Sequence, residues 1–266
     1  MVYMGSKRRY CKYIVPIIQR YIDEYGIDCF VDCFCGGANL TDKIECKTVI
    51  ANDLSPTLIA LHKQAQEDFS KIPTDGNREY WDKAYSEWKR MKAAMINGEI
   101  PLDFIPEIPL YEIGAIEWYS SFANGGFPRG YAKNTATRNY YQEAWRNHQK
   151  QAENENYKKI TFVQGDYHHI ETLIDPEENK NILLYADSPY QGTKPYAIDN
   201  KFDFTAYYDW LKYISTIFPI FVSEQQLPEE FNEYIVWEKD DVKRTAGMDN
   251  NFKACEKLWL IDRRTK

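Results

Sequence analysis

The chain has 266 residues, which is enough for one large α/β domain or for a core domain carrying a smaller insertion. Hydrophobic residues make up 44% and charged residues 27%, and no apolar run approaches the roughly 20 residues that span a bilayer, which argues against a membrane protein. The net charge of −7 disfavours an extensive phosphate-binding surface but leaves room for a local basic face.

Two further features bear on location and metal binding. The basic residues Lys7, Arg8 and Arg9 are followed by a stretch broken by polar residues, without a small-residue cleavage site, so we expect a cytoplasmic protein. Six cysteines include one close pair, Cys33 and Cys35, with no second pair or histidine cluster beside it. We therefore expect reduced, mostly buried thiols and no metal.

Apolar periodicity predicts alternating helices and strands near the N-terminus. Isoleucines spaced three and four apart predict an amphipathic helix within residues 7–25. Two short apolar runs, residues 29–34 and 48–51, predict buried parallel strands. After Asp53, Ser55 followed by proline predicts the start of a second helix.

The composition changes between residues 65 and 157, where Trp, Tyr, Asn, Lys and Arg are frequent and residues 124–130 are rich in glycine. We interpret residues 65–157 as an inserted, mainly helical module, and residues 1–64 and 158–266 as the core. Strands are predicted again at 160–163, 182–186 and 220–222, with a closing pair at 234–237 and 258–261. This alternation predicts an α/β fold with a doubly wound sheet.

Polar clusters follow three of the predicted strands, and ligands of open α/β sheets bind beyond the carboxyl ends of the strands. The first contains Gly36 and Gly37, which let the backbone approach a ligand closely, although a glycine pair is also common in simple turns. The second is Asp53, whose carboxylate could accept both hydroxyls of a ribose or could only cap the next helix.

The third cluster is the tetrapeptide Asp187–Tyr190. The exocyclic amino group of adenine is a poor nucleophile because its lone pair is delocalised into the ring. A carboxylate from Asp187 and the backbone carbonyl of Ser188 could accept its two hydrogens and stabilise the charge that develops during methyl transfer. Pro189 would fix the backbone, and the ring of Tyr190 could stack on a base rotated out of the duplex. A type I turn with proline at its second position is the alternative.

The ordered motifs resemble those of the Dam-like, D12-class DNA adenine-N6 methyltransferases. The similarity lies in residues 3–7, residues 32–37, Asp53, residues 165–167 and residues 187–190. Residues 121–131, residues 190–193 with Tyr196, and residues 222–224 resemble the phage-type branch of that family. The resemblance implies a Rossmann-like methyltransferase core, S-adenosylmethionine as methyl donor, an inserted target-recognition module, and N6-methylation of adenine in double-stranded DNA by base flipping.

The resemblance also implies roles for individual residues. Tyr3, Gly5 and Lys7 would contribute to the cofactor pocket, and Asp53 would hold the ribose. Asp166 would lie near the cofactor adenine. The remaining lining residues would be Asp32, Phe34, Gly36 and Gly37, and the catalytic tetrapeptide would be Asp187, Ser188, Pro189 and Tyr190.

Two positions depart from the family pattern. Serine stands at position 188, where the family usually has proline, and Ala38 occupies the last glycine position of Phe-x-Gly-x-Gly. Since only the backbone carbonyl of residue 188 enters the mechanism above, serine keeps the acceptor. These departures leave a catalytically weakened DNA-binding relative as an alternative, and cytosine-N4 methylation, which uses the same amino chemistry, is another.

Candidate DNA contacts form two groups. Arg129, Lys133 and Arg138 lie in the insertion among tyrosines, and Lys243 and Arg244 lie near the C-terminus. Scattered basic residues on a solvated face are the alternative in both cases. We expect double-stranded DNA as the partner and a monomer or weak dimer.

Overall fold

The computed structural model describes residues 1–96, 100–174, 181–190, 202–243 and 253–264, without the side chains of residues 241–243, 253 and 254. Within these residues seven strands form one sheet in the order β3-β2-β1-β4-β5-β7-β6. Their bounds are β1 Cys29–Asp32, β2 Thr48–Asp53, β3 Thr161–Gln164, β4 Ile182–Ala186, β5 Ile220–Glu224, β6 Ile235–Lys243 and β7 Lys253–Ile261. β3, β2, β1, β4 and β5 are parallel, whereas β7 is antiparallel to β5 and to β6.

Of the α-helices in the described residues, one precedes β1, five follow one another between β2 and β3, and one lies between β4 and β5. Their bounds are α1 Cys11–Tyr25, α2 Pro56–Glu67, α3 Arg78–Ala94, α4 Leu110–Tyr119, α5 Tyr140–Ala152, α6 Glu155–Lys158 and α7 Phe204–Ile214. Together with the strand order, which reverses direction between β1 and β4, this arrangement confirms the predicted Rossmann-like fold with a mainly helical insertion.

The predicted helix starts and stops have local causes. The Ser55 hydroxyl accepts a hydrogen bond from Leu58 N and caps α2, whose first residue is proline, as the sequence predicts. α1 ends at Gly26, which has a φ of 59° in the left-handed region that closes many helices. Short 3₁₀ turns such as Lys7–Arg9, at the start of the predicted first helix, escape periodicity because they contribute too few residues to show a pattern.

Helices cover both faces of the sheet. Alternate strand residues point to opposite faces, so Phe30 packs with α1 and α2, whereas its neighbour Val31 packs with α7. β4 divides in the same way, with Leu183 on the α1 side and Leu184 on the α7 side. The continuous apolar runs of the parallel strands follow from this double cover.

The inserted helices pack directly on the core. Gly114 of α4 lies so close to α2 that a Cβ there would come within 2.2 Å of the Thr57 carbonyl oxygen. The boundary placed after residue 64 falls inside α2, which runs to Glu67. Buried side chains of α3, α4 and α5 join the same hydrophobic cluster as those of α1 and α2.

The described residues contain no helix with both the length and the apolar character needed to cross a membrane, and no cluster of three or more His, Cys, Asp or Glu side chains arranged to hold a metal ion. All six cysteines are free, and Cys11, Cys29, Cys33 and Cys35 are buried.

Candidate functional site

A cleft of about 480 Å³ opens at the carboxyl edge of the parallel strands. Every residue that the sequence assigns to cofactor binding or catalysis contributes to its lining: Tyr3, Gly5, Lys7, Asp32, Phe34, Gly36, Gly37, Asp53, Asp166, Asp187, Ser188, Pro189 and Tyr190. The N-terminal segment, the glycine turn after β1 and the tetrapeptide after β4 therefore meet in one place.

The glycine turn is shaped by the ring of Tyr3. Gly36 has a φ of 47°, and a Cβ there would lie 2.7 Å from Tyr3 Cε1. A Cβ on Gly37 would lie 2.8 Å from Tyr3 Cβ. Tyr3 is backed by Trp118 of the insertion, with 4.9 Å between ring centroids. Both glycines are thus needed for the N-terminal segment to close over the turn.

The backbone conformation of Ala38 explains why the family pattern has glycine at this position. Its φ is 52°, in the left-handed region where a Cβ is disfavoured, and its side chain is fully buried. A lone alanine in this conformation costs about 1–2 kcal/mol. Hydrogen bonds hold the Ala38 backbone in this conformation: its N–H donates to the Cys35 carbonyl oxygen at 2.8 Å, and its carbonyl oxygen accepts from Asp42 N at 3.1 Å and from Gln151 Nε2 at 3.2 Å.

Asp53 ties the second strand to the glycine turn. Its Oδ2 accepts a hydrogen bond from Gly36 N at 3.0 Å, and its Oδ1 accepts one from Ser55 N at 2.9 Å. Desolvation raises the pKa of this carboxyl, and the two backbone donors oppose that shift. The side chain therefore organises the turn and also lines the cleft.

Asp32 is buried beneath the turn. The Thr41 hydroxyl donates to its Oδ2, and Phe34 N donates to its Oδ1 at 3.2 Å. Burial raises the pKa of Asp32 to about 7 in spite of these donors. Asp166, by contrast, is half-exposed and caps the following 3₁₀ turn by accepting from His168 N at 2.9 Å.

The tetrapeptide Asp187–Tyr190 contacts Lys7, which comes from the N-terminal segment. Lys7 Nζ lies 2.5 Å from Asp187 Oδ1 and 3.3 Å from Glu256 Oε1, and it also donates to the Tyr190 hydroxyl. Burial raises the pKa of Asp187 to about 6, and Lys7 opposes this rise. Burial would lower the pKa of Lys7, but Asp187 and Glu256 raise it overall, so the lysine is a cation.

Two carboxyl groups of this cluster were not predicted as site residues. Glu256 Oε1 accepts a hydrogen bond from the Tyr190 hydroxyl at 2.7 Å, and Glu224 lies at the end of β5. A polar residue ending a buried parallel strand was a usable signal for Glu224. Glu256 had no such signal, because it lies near the start of a strand. That strand, β7, runs antiparallel to β5, so its beginning lies at the carboxyl edge of the parallel strands. Glu224 pairs with Lys257 of β7, which places Glu256 beside Glu224.

A buried chain of hydrogen bonds links the insertion to the glycine turn. Tyr119 of α4 contacts His148 Nδ1 at 2.5 Å, and His148 Nε2 contacts the Tyr157 hydroxyl at 2.9 Å. That hydroxyl lies 2.8 Å from His62 Nδ1, and His62 Nε2 lies 2.9 Å from the Gly36 carbonyl oxygen. Burial lowers the pKa of His62 to about 3 and that of His148 well below its usual range.

The basic residues proposed for DNA lie in different surroundings. Arg129 is half-buried and lines the cleft, whereas Lys133 is exposed. Arg138 is paired with Glu143, with 2.7 Å between Nε and Oε2, and lies over the Tyr140 ring.

Several other residues that the sequence analysis singled out have side chains outside the described part of the structure. Lys243 ends β6, but its side chain is not described. Arg244, residues 191–193 and Tyr196 lie outside the described residues.

Comparison with known proteins identifies one family. The family model of the D12 class N6 adenine-specific DNA methyltransferases matches residues 3–216. No curated protein matches the chain by sequence.

Solved structures give weaker similarities. Two structures of the rRNA methyltransferase AviRa from Streptomyces viridochromogenes are each 11% identical. The two alignments cover 97% and 98% of this chain and 86% and 87% of the AviRa chains. Their TM-scores are 0.44 and 0.42. A structure of SMU.472 complexed with SAH is 10% identical, with a TM-score of 0.34 and coverage of 100% of this chain and 57% of that one.

Proposed function

Because the chain belongs to the D12 class of N6 adenine-specific DNA methyltransferases, we propose that Asp187, Ser188, Pro189 and Tyr190 receive an adenine that has rotated out of the DNA duplex. The enzyme transfers a methyl group from S-adenosylmethionine to N6 of adenine in DNA. The roles of the individual residues and the rotation of the base are the proposed part.

One observation carries this proposal: Asp187 lines the same cleft as the glycine turn and Asp53. Ligand-sized sites have volumes of about 300–1,000 Å³, and the cleft falls in that range. Its donor set fits the cofactor, with a carboxylate at a strand end for a ribose and a glycine turn for close backbone contact. When bound, S-adenosylmethionine supplies a methyl group activated by the positive charge on its sulfur.

The chain's own residues would prepare the amino group. The Asp187 carboxylate and the Ser188 carbonyl accept the two hydrogens of N6, which favours a pyramidal nitrogen as positive charge develops. Asp187 must be ionised to act as this acceptor, and the adjacent Lys7 cation favours the ionised form. The Tyr190 ring, which packs against the Lys7 ammonium at 4.4 Å from its centroid, would stack on the base.

The insertion would recognise the DNA. Arg129 is the best placed of the basic candidates because it lines the same cleft as Asp187. We propose that residues 65–157 form this target-recognition unit and residues 1–64 and 158–266 the catalytic core. We further propose that the enzyme acts in the cytoplasm as a monomer or weak dimer.

The experiment that tests the proposal combines labelling with product identification. Purified enzyme, radiolabelled S-adenosylmethionine and DNA of mixed sequence should give labelled DNA, and mass spectrometry of the nucleoside digest should show N6-methyl-2′-deoxyadenosine. Asp187→Ala should abolish the label while calorimetry still detects cofactor binding. Retained labelling by Asp187→Ala would overturn the assigned role, N4-methylcytosine would move the activity to the cytosine alternative, and cofactor binding without any label would identify a weakened relative.

A further inference from the structure

We propose that Glu256 is a positioning residue that draws Lys7 away from Asp187, so that the Asp187 carboxylate can turn to the amino group of the target base. This inference rests on the proposed role of Asp187. Glu256 lies in β7, beyond residues 3–216 that match the family model.

Three oxygens surround the Lys7 ammonium. It donates hydrogen bonds to Asp187 Oδ1 at 2.5 Å and to the Tyr190 hydroxyl oxygen, and its Nζ lies 3.3 Å from Glu256 Oε1, within ion-pair distance. Lys7 and Glu256 are only 5% and 4% exposed, so water offers little alternative to these partners. The lysine is therefore held between two carboxylates, one of which is also needed by the substrate.

Lys7 and the adenine amino group compete for Asp187. A cation in a buried site binds a carboxylate more strongly than a neutral N–H does. With Asp187 as its sole anionic partner, Lys7 would therefore keep the carboxylate occupied. Glu256 provides the second anion, and a movement of about 0.5 Å would bring Lys7 into a normal charged hydrogen bond with it.

Glu256 also fixes the Tyr190 side chain. The same Oε1 atom accepts the Tyr190 hydroxyl at 2.7 Å, so the ring keeps its place when Lys7 shifts. Removing the Glu256 carboxylate would therefore affect both the Lys7–Asp187 ion pair and the Tyr190 ring.

The neighbouring Glu224 cannot replace Glu256 in this role. Burial raises the pKa of Glu224 to about 9, so this carboxyl carries its proton at neutral pH and offers Lys7 no negative charge. In the described residues, the carboxyl oxygens within ion-pair distance of Lys7 Nζ belong to Asp187 and Glu256.

Glu256→Gln tests the inference, because it keeps the size of the side chain and an acceptor for Tyr190 but removes the charge. We expect kcat for DNA methylation to fall about 10–100-fold, the effect of one charged hydrogen bond, with little change in the calorimetric Kd for S-adenosylmethionine. Glu256→Asp should recover part of the loss. Glu238→Gln, a change of an exposed carboxylate on β6, is the matched control and should keep wild-type rates.

A titration distinguishes positioning from structural damage. Glu256 raises the pKa of Asp187, whereas the Tyr190 hydroxyl lowers it. Glu256→Gln should therefore move the acid limb of the rate profile to lower pH, and Tyr190→Phe should move it to higher pH. Carboxyl-carbon NMR of labelled Asp187, recorded without DNA, should show the same opposite shifts.

Unchanged kcat in Glu256→Gln, or a lower kcat with an unmoved titration of Asp187, would overturn the inference. These outcomes are separate from failure of the proposed function, which would appear as methylation that survives in Asp187→Ala.

Discussion

His62 Nε2 donates a hydrogen bond to the carbonyl oxygen of Gly36 at 2.9 Å. A carbonyl can only accept, so the proton of His62 lies on Nε2 and its Nδ1 accepts from Tyr157. The Tyr157 oxygen then accepts from His148 Nε2, whose Nδ1 accepts from Tyr119. The donor of each hydrogen bond in this chain thus determines the donor of the next. Side chains of α4, α5 and α6 thereby orient the glycine turn.

His62→Phe tests this orientation, since phenylalanine keeps the stacking on Phe162 but removes both ring nitrogens. An unsatisfied buried carbonyl costs about 1–3 kcal/mol, and we expect the Kd for S-adenosylmethionine to rise about tenfold. Tyr119→Phe cuts the far end of the same chain and serves as control. It should lower Tm similarly while leaving the Kd close to wild type; equal Kd values in both variants would contradict the assignment.

The fold could be predicted from the sequence because parallel strands covered on both faces leave continuous apolar runs, as in β4. The site could be predicted where a polar residue directly follows such a run, as Asp53 and Asp187 do. His62 and Glu256 could not be found in this way. Their roles depend on which helix and which antiparallel strand pack beside the turn, and this is long-range information that no local pattern contains.

Gly36→Ala should separate backbone strain from steric conflict in the glycine turn. Gly26 has a similar φ of 59°, but a Cβ there would have no atom within 4 Å, whereas a Cβ on Gly36 would strike the Tyr3 ring. Both alanine variants should lose about 1–2 kcal/mol of stability from left-handed strain. Only Gly36→Ala should also weaken binding of S-adenosylmethionine, by about tenfold or more, in calorimetric titrations. Equal cofactor binding by the two variants would show that Tyr3 adapts freely.

The rate of methylation should fall at acid pH. The pKa of Asp187 is raised to about 6 by burial, so the acceptor carboxylate becomes protonated below that value. Initial rates measured from pH 5 to 8.5 at saturating substrates should fall about tenfold per pH unit below pH 6. A flat profile down to pH 5 would show that the ionisation of Asp187 does not limit turnover. Thermal melts over the same range control for acid unfolding.

Glu117 should make the folded protein less stable as the pH rises from about 4.5 toward 8. Its side chain is fully buried and accepts from the Thr57 hydroxyl at 2.7 Å, and burial raises its pKa from 4.5 to about 8. Between these two values the unfolded chain is ionised and the native chain is not, so stability falls as pH rises toward 8, by at most about 1.4 kcal/mol per pH unit.

Glu117→Gln removes this dependence. Its Tm relative to wild type should therefore increase from pH 5 to pH 8 and then level off, with about 2–4 °C for each kcal/mol. Glu87→Gln provides the contrast, because Arg90 lowers the pKa of Glu87 through direct hydrogen bonds. A Tm difference for Glu117→Gln that stays constant with pH would contradict the assignment.

The two arginines of the insertion should differ in their contribution to DNA binding. Arg129 lines the cleft, whereas Arg138 already donates hydrogen bonds to both carboxylate oxygens of Glu143. A phosphate must displace Glu143 to reach Arg138, but no ion pair holds Arg129 in the described residues. Arg129→Ala should therefore raise the Kd for DNA about tenfold and reduce the slope of log Kd against log salt by about 1, whereas Arg138→Ala should change neither appreciably. Fluorescence anisotropy at several salt concentrations measures both quantities, and a larger effect of Arg138→Ala would place the DNA along the surface around α5 instead of over the cleft.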